Sequence, residues 1–169
     1  ELLDKQTSDK NLVMAFTNLD KYGVQPVAFA MIGIPGESWE SFDETLRMTI
    51  LLKPKLMRMT FLYPYKHTKI YDICVERGLF KDEDVSDNRD YGSCLKFDSI
   101  TDQELFCMRF LFPWYVNSRW YNLKEYKDAI EKYSSYSLEH LKEIIPEIIT
   151  FDKELSNNCA HPHFRYYSG

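Results

Sequence analysis

Residues 27–34, Val-Ala-Phe-Ala-Met-Ile-Gly-Ile, form an apolar run with no polar alternation; it stops at Pro35-Gly36 and passes straight into a segment with helical periodicity. A continuous apolar run of this length predicts a strand buried on both faces, as in a parallel sheet. Parallel neighbours need a crossover, usually a helix, and the flanking residues supply that pattern. Ser8 can cap a helix carrying Leu12, Phe16 and Leu19 on one stripe, with Gly23 placed to end it. After the run, Ser41 and Glu44 have capping-box spacing, Phe42, Leu46 and Ile50 form an apolar stripe, and Lys53-Pro54 stops the helix. "LMRMTFLY" is a second strand ended by Pro64, and Thr68 caps "KIYDICVER", closed by Gly78. Helix–strand–helix–strand–helix with short connections is the order of βα units. Residues 1–80 are therefore expected to be α/β.

The second half, 81–169, has another character and is expected to be an α-helical extension. Residues 81–98 are polar, acidic and without periodicity, which predicts a long surface connection. Thr101 with Glu104 opens a helix that Pro113 should kink or break. Asn122 with Glu125 and then Ser137 mark two more helix starts, the last interrupted by Pro146. The aromatic-rich "FLFPWYVNSRWY" is expected in the core; a substrate-facing wall or partner surface, with Trp114 and Trp120 beside Arg119 recognising a flat ligand, explains the same residues.

At 169 residues the chain suits one domain with its own core. Its net charge is −5, with 10 Lys/Arg against 10 Asp/Glu in residues 1–80 and 11 against 16 thereafter. An acidic balance without a basic stripe gives no footprint for phosphate backbones, so no nucleic-acid partner is expected. No apolar run reaches transmembrane length, so no membrane role is expected either. The opening Glu-Leu-Leu-Asp-Lys lacks the features of a signal peptide and reads as the interior of a longer chain. Cys74, Cys94, Cys107 and Cys159 show no Cys-x-x-Cys spacing and read as reduced thiols of a cytoplasmic protein.

Chemistry is expected where the strands end, because ligands in parallel sheets sit at the C-terminal strand ends. Gly33 and Gly36 would let a flat ligand approach the backbone, Pro35 stiffens the turn, and Glu37 stands before a helix N-terminus. A tight strand-to-helix turn needing glycine for geometry alone explains the same residues. Cys159, His161 and His163 are metal-capable, but too few ligands accompany them, and a solvated tail is expected. Cys74 and Cys107 read as core, and His140 as surface.

The stretch "AFAMIGIPGESWESFDETL" resembles the fifth strand, loop and helix of radical S-adenosylmethionine (radical SAM) enzymes, and most of all the branch with an N-terminal cobalamin-binding domain. "LLKPKLMRMTFLYPYKHTKIYDICVERGLF" is similar to that family's Lys-Pro, sixth strand, Pro-Tyr-Pro-Gly-Thr and Tyr-Asp…Gly-Leu pattern, and "LLDKQTSDKNLVMAFTNLDKYGV" fits the preceding helix. The resemblance covers residues 1 to about 80. It implies the last two βα units of a partial parallel (β/α) barrel, whose upstream strands would be partners of this chain.

By the resemblance, Met31, Gly33, Ile34, Pro35, Gly36 and Glu37 contact S-adenosylmethionine. Leu62 and Tyr63 line the same cofactor, and Pro64, Tyr65, Lys66 and His67 lie near a small-molecule substrate that the residues present do not name. Lys66-His67 depart from the family's Pro-Gly, which loosens that loop; at a strand end an exposed pair explains them as well. The family's Cys-x-x-x-Cys-x-x-Cys, whose thiolates hold a [4Fe–4S] cluster, does not occur. The expectation is therefore the C-terminal part of a radical SAM enzyme, inactive alone, with cluster ligands and any cobalamin upstream. Relatives without cobalamin, of the methylthiotransferase or oxygen-independent coproporphyrinogen type, fit next best. The alternative from another class is a stand-alone non-catalytic α/β binding or interaction module. Two parallel strands alone leave open edges, so either the helical half covers them or the chain self-associates.

Overall fold

The computed structural model describes residues 7–81, 92–120 and 122–158. Helix α1 (Asp9–Lys21) is followed by β1 (Val27–Ile32), α2 (Trp39–Leu52), β2 (Leu56–Phe61) and α3 (Lys69–Glu76). Five helices complete the described chain: α4 (Asp102–Phe110), α5 (Phe112–Trp120), α6 (Lys124–Ser134), α7 (Leu138–Glu143) and α8 (Ile145–Asn158). The fold is mixed α/β and mostly helical, around a two-stranded parallel sheet. β1 and β2 run in register from Val27 opposite Leu56 to Ile32 opposite Phe61.

Local chemistry sets most element ends. Ser8, Thr68, Thr101 and Ser137 each cap a helix by accepting a backbone N–H from the first turn, and Glu104 returns a bond to Thr101. The helix opened by Thr101 breaks at Leu111, leaving Pro113 in the first turn of α5, where its missing N–H costs nothing. Pro146 takes the same position in α8. Lys53, before Pro54, ends α2 at φ 49°.

Four expectations fail. Helix α2 starts from Ser38, whose hydroxyl exchanges bonds with Ser41, so Ser41–Glu44 is not the cap. α6 begins after Leu123 without a side-chain cap; Asn122 instead accepts a bond from Lys127 Nζ at 2.7 Å. Residues 92–98 are not simply a surface connection. Ser93, Cys94 and Leu95 are buried, and Leu95 bridges Phe80 antiparallel. Nor is β1 buried on both faces. Ala28, Ala30 and Ile32, with Met57, Met59 and Phe61, pack into the main core, whereas Phe29 is 73% exposed and Val27 and Arg58 also face outward.

The covered face of the sheet meets α2 through Phe42 and Leu46 and the helical half through Leu105, Phe106 and Met108. Trp114 lies at the centre of the helices, fully buried, with its Nε1–H donated to Asp152 Oδ1 at 2.6 Å. A smaller cluster of Leu62, Ile70, Cys74, Cys94 and Leu95 sits under α3. Among the described residues the helical half thus covers one sheet face, and Val27, Phe29 and Arg58 on the other are exposed. No described helix is long and apolar enough to cross a membrane.

Candidate functional site at the strand ends

The strand ends lie side by side because pairing continues past the strands: Leu62 N–H donates to Ile32 O at 2.8 Å. Two loops leave from there, 33–38 into α2 and 62–68 into α3. The first is a tight turn in which Glu37 N–H donates to Ile34 O at 2.8 Å and both glycines take positive φ, 77° at Gly33 and 93° at Gly36. L-residues rarely adopt that conformation, so glycine is required here by geometry.

The two glycines differ in what surrounds them. A Cβ on Gly36 would meet nothing within 4 Å, whereas one on Gly33 would meet Leu105 Cδ2 and Ser93 Oγ at 3.4 Å and Phe97 Cζ at 3.5 Å. The space over Gly33 is filled by the helical half; the space over Gly36 is open. An open groove of about 770 Å³ runs beside it, lined by Met31, Ile34, Pro35, Gly36 and Glu37, by Ser41, Thr45 and Met48 of α2, and by Asp9 of α1.

Glu37 is buried at 8% exposure. One carboxylate oxygen accepts the Gly33 N–H at 3.1 Å, and the other accepts the Ser41 hydroxyl in a short bond. Its backbone carbonyl accepts the Ser99 hydroxyl at 2.8 Å. Glu37 therefore fastens loop, helix and helical half together, and both its side-chain oxygens are engaged within the chain.

The second loop stands apart from the groove lining. Leu62 is buried in the small cluster, Pro64 is buried, and Tyr63 packs edge-on against Tyr65 with ring centroids 5.4 Å apart. Tyr65, Lys66 and His67 are exposed. Thr68 Oγ1 donates to Tyr65 O at 2.6 Å, closing a turn in which His67 holds φ 68°.

Of the residues expected at the site, the structure brings Met31, Ile34, Pro35, Gly36 and Glu37 to one groove, shuts Gly33 under the helical half, and sets Leu62, Tyr63, Pro64, Tyr65, Lys66 and His67 on the neighbouring loop. Sequence reasoning missed Ser41, Thr45 and Met48, although their spacing from Glu37 continues one helical face. It also missed Ser93, Phe97, Ser99 and Leu105, for which no local signal exists.

A second cavity of about 480 Å³ lies between α2 and α5. There Asp43 pairs with Arg119 and with Arg47, and the Arg119 hydrogen bond holds the Asp43 carboxyl below its usual range. Glu104 is likewise held low, first by the Thr101 backbone N–H and then by the Trp39 indole N–H at 3.0 Å.

Among the described residues no group of three or more His, Cys, Asp or Glu side chains could hold a metal. Cys74, Cys94 and Cys107 are each buried, and burial pushes each thiol up, Cys107 to about 11. Cys159, His161 and His163 lie outside the described residues. Searches against family models, curated proteins and solved structures found no match to this chain.

Proposed function

We propose that this chain is the C-terminal part of a radical SAM enzyme, supplying S-adenosylmethionine and substrate contacts at the ends of its last two barrel strands. What carries the reading is the open space over Gly36, in a groove at the end of a parallel strand. A groove of this size suits a nucleoside-sized ligand, and the absent Cβ lets a purine ring lie against the backbone. His67 adds support. It stands where the family pattern has glycine, and it holds the left-handed conformation glycine favours.

In this reading Met31, Ile34 and Pro35 give apolar contact to the adenine, and Gly36 gives close approach. Glu37 acts indirectly, by holding the loop, since its oxygens are already bonded. The sheet face bearing Val27, Phe29 and Arg58 is the one that upstream strands would enclose. The cluster ligands and any cobalamin belong to that upstream part, and no chemical step is assigned to this chain. Substrate would meet Tyr65, Lys66 and His67.

Saturation-transfer NMR on the chain with S-adenosylmethionine tests this. Saturable transfer to the adenine protons is expected, with at least about tenfold weakening in Gly36→Val, because a branched side chain fills the ligand's space and is strained at that φ. Absence of saturable transfer, or an unchanged affinity in Gly36→Val, overturns the assignment.

The stand-alone module remains the second reading, and one observation favours it. Ser93, Phe97, Ser99 and Leu105 build the loop into the chain's own fold. On that reading no nucleoside binds, and Gly36→Val changes stability alone.

A further inference from the structure

Cys74 and Cys94 are the two thiols of the small buried cluster that holds α3 to residues 92–97. The backbone brings their segments together. Leu79 N–H donates to Cys74 O at 2.9 Å, Lys96 N–H to Leu79 O at 2.7 Å, and Lys81 N–H to Cys94 O at 3.1 Å. Cys74 thus occupies the last turn of α3, directly under the short antiparallel contact that carries Cys94. Both side chains lie in one small buried cluster with Leu62, Ile70 and Leu95, where the Cys94 thiol donates to Leu62 O at 3.9 Å. Cys107 lies elsewhere, in the main core.

We propose that Cys74 and Cys94 are a redox pair that closes to a disulfide by exchange with a low-molecular-weight disulfide, fastening residues 92–97 to α3. Two protein thiols and one small disulfide give one protein disulfide and two small thiols. The thiolate of one cysteine attacks the small disulfide, expelling one small thiolate and leaving a mixed disulfide. The second cysteine, deprotonated by solvent, then attacks the protein sulfur of that bond and expels the other small thiolate; both leaving groups take up protons.

Both thiols are buried, so attack needs local opening. The site suits that: the cluster is small, joined to the main core through Phe97, and covered by an eight-residue helix with Val75 exposed. Such peripheral units open at a fraction of the global unfolding cost. Burial raises the Cys94 thiol, and the charge of nearby Lys81, whose Nζ donates to Ser93 O at 2.9 Å and pairs with Asp102, offsets part of that. The consequence reaches the strand ends, because Ser93 and Phe97 are two of the three residues packed over Gly33. Closing the bond pins that cover in place. The Cys74–Cys94 pair stands whether or not a nucleoside binds beside Gly36.

The test is incubation of the native full chain with oxidised glutathione at mildly alkaline pH, acid quench, and peptide mapping without reduction. The expected result is a linked Cys74–Cys94 peptide, lighter by two hydrogens than its reduced parts. The link should vanish in Cys74→Ala and in Cys94→Ala, and persist in Cys107→Ala and Cys159→Ala. Hydrogen exchange at residues 92–97 should slow on oxidation. Glutathione left as a mixed disulfide on Cys94, a link formed only in denaturant, or predominant pairing with Cys107 or Cys159 each overturns the proposal.

Discussion

The Glu37 carboxylate reaches back four residues to accept the Gly33 backbone N–H at 3.1 Å. That N–H has no partner in the sheet. A trans peptide points the Gly33 N–H opposite to the Ile32 carbonyl, and the Ile32 carbonyl is turned toward β2, where it accepts from Leu62. The Gly33 N–H therefore faces away from β2, and Glu37 satisfies it. Glu37→Ala should cost about 2 kcal/mol, since a buried donor and the Ser41 hydroxyl lose their acceptor. Glu37→Gln keeps one acceptor oxygen and should cost about 1 kcal/mol. Urea midpoints of the two variants measure this, and equal stability of Glu37→Ala and the parent protein would remove the fastening role.

Gly33 and Gly36 share one kind of backbone strain and differ in cover. Gly36→Ala meets the strain of φ 93° with nothing within 4 Å of the new methyl, and should lose about 1 kcal/mol. Gly33→Ala meets similar strain at φ 77°, but its methyl gains ordinary van der Waals contact with Leu105, Ser93 and Phe97, so it should lose no more than Gly36→Ala. Thermal unfolding of both variants checks the order. A clearly larger loss in Gly33→Ala would mean that the helical half leaves no room for a methyl over Gly33.

His67 gives a prediction of the opposite sign. It holds φ 68° in an exposed turn, which strains any residue with a Cβ. His67→Gly relieves that strain while adding freedom to the unfolded chain, and the balance should stabilise the protein by about 0.5–1 kcal/mol. His67→Ala should change little. A destabilised His67→Gly would show that the imidazole makes a contact worth more than the strain.

What could be read from sequence follows the range of the interaction responsible. Thr101–Glu104, Thr68, Ser137, Pro113 and Pro146 act within one helical turn, and each marks the element end that the structure has. The start of α2 failed because Ser38–Ser41 and Ser41–Glu44 share the same spacing. The choice falls to Ser38, with the Ser41 hydroxyl also engaged by Glu37. The burial of β1 failed for another reason. An apolar run records what a strand can tolerate, while exposure at Phe29 depends on whether anything packs on that face. At the strand ends the loop itself was legible from Gly33, Pro35 and Gly36. Its cover was not, since Ser99 meets Glu37 across 62 residues and nothing near either residue signals the other.

Cys107 contributes to the loss of stability in alkali. It is 3% exposed in the main core, and burial pushes its thiol up to about 11, from 9.0 in an unfolded chain. The folded protein therefore holds this proton more tightly than the unfolded chain does. The resulting stability is complete below pH 9.0 and is lost as pH rises toward about 11, because only the unfolded chain gains by ionising. The loss should approach about 3 kcal/mol. Tyr115, Cys74 and Cys94 are also raised by burial and act in the same direction. Cys107→Ala should lower stability by about 1 kcal/mol at neutral pH by leaving a small cavity. Its stability should then fall less steeply with pH, so that the two curves converge between pH 9.0 and about 11. Urea denaturation across that range decides the matter, and parallel curves would mean that the Cys107 thiol ionises as readily in the folded protein as in the unfolded one.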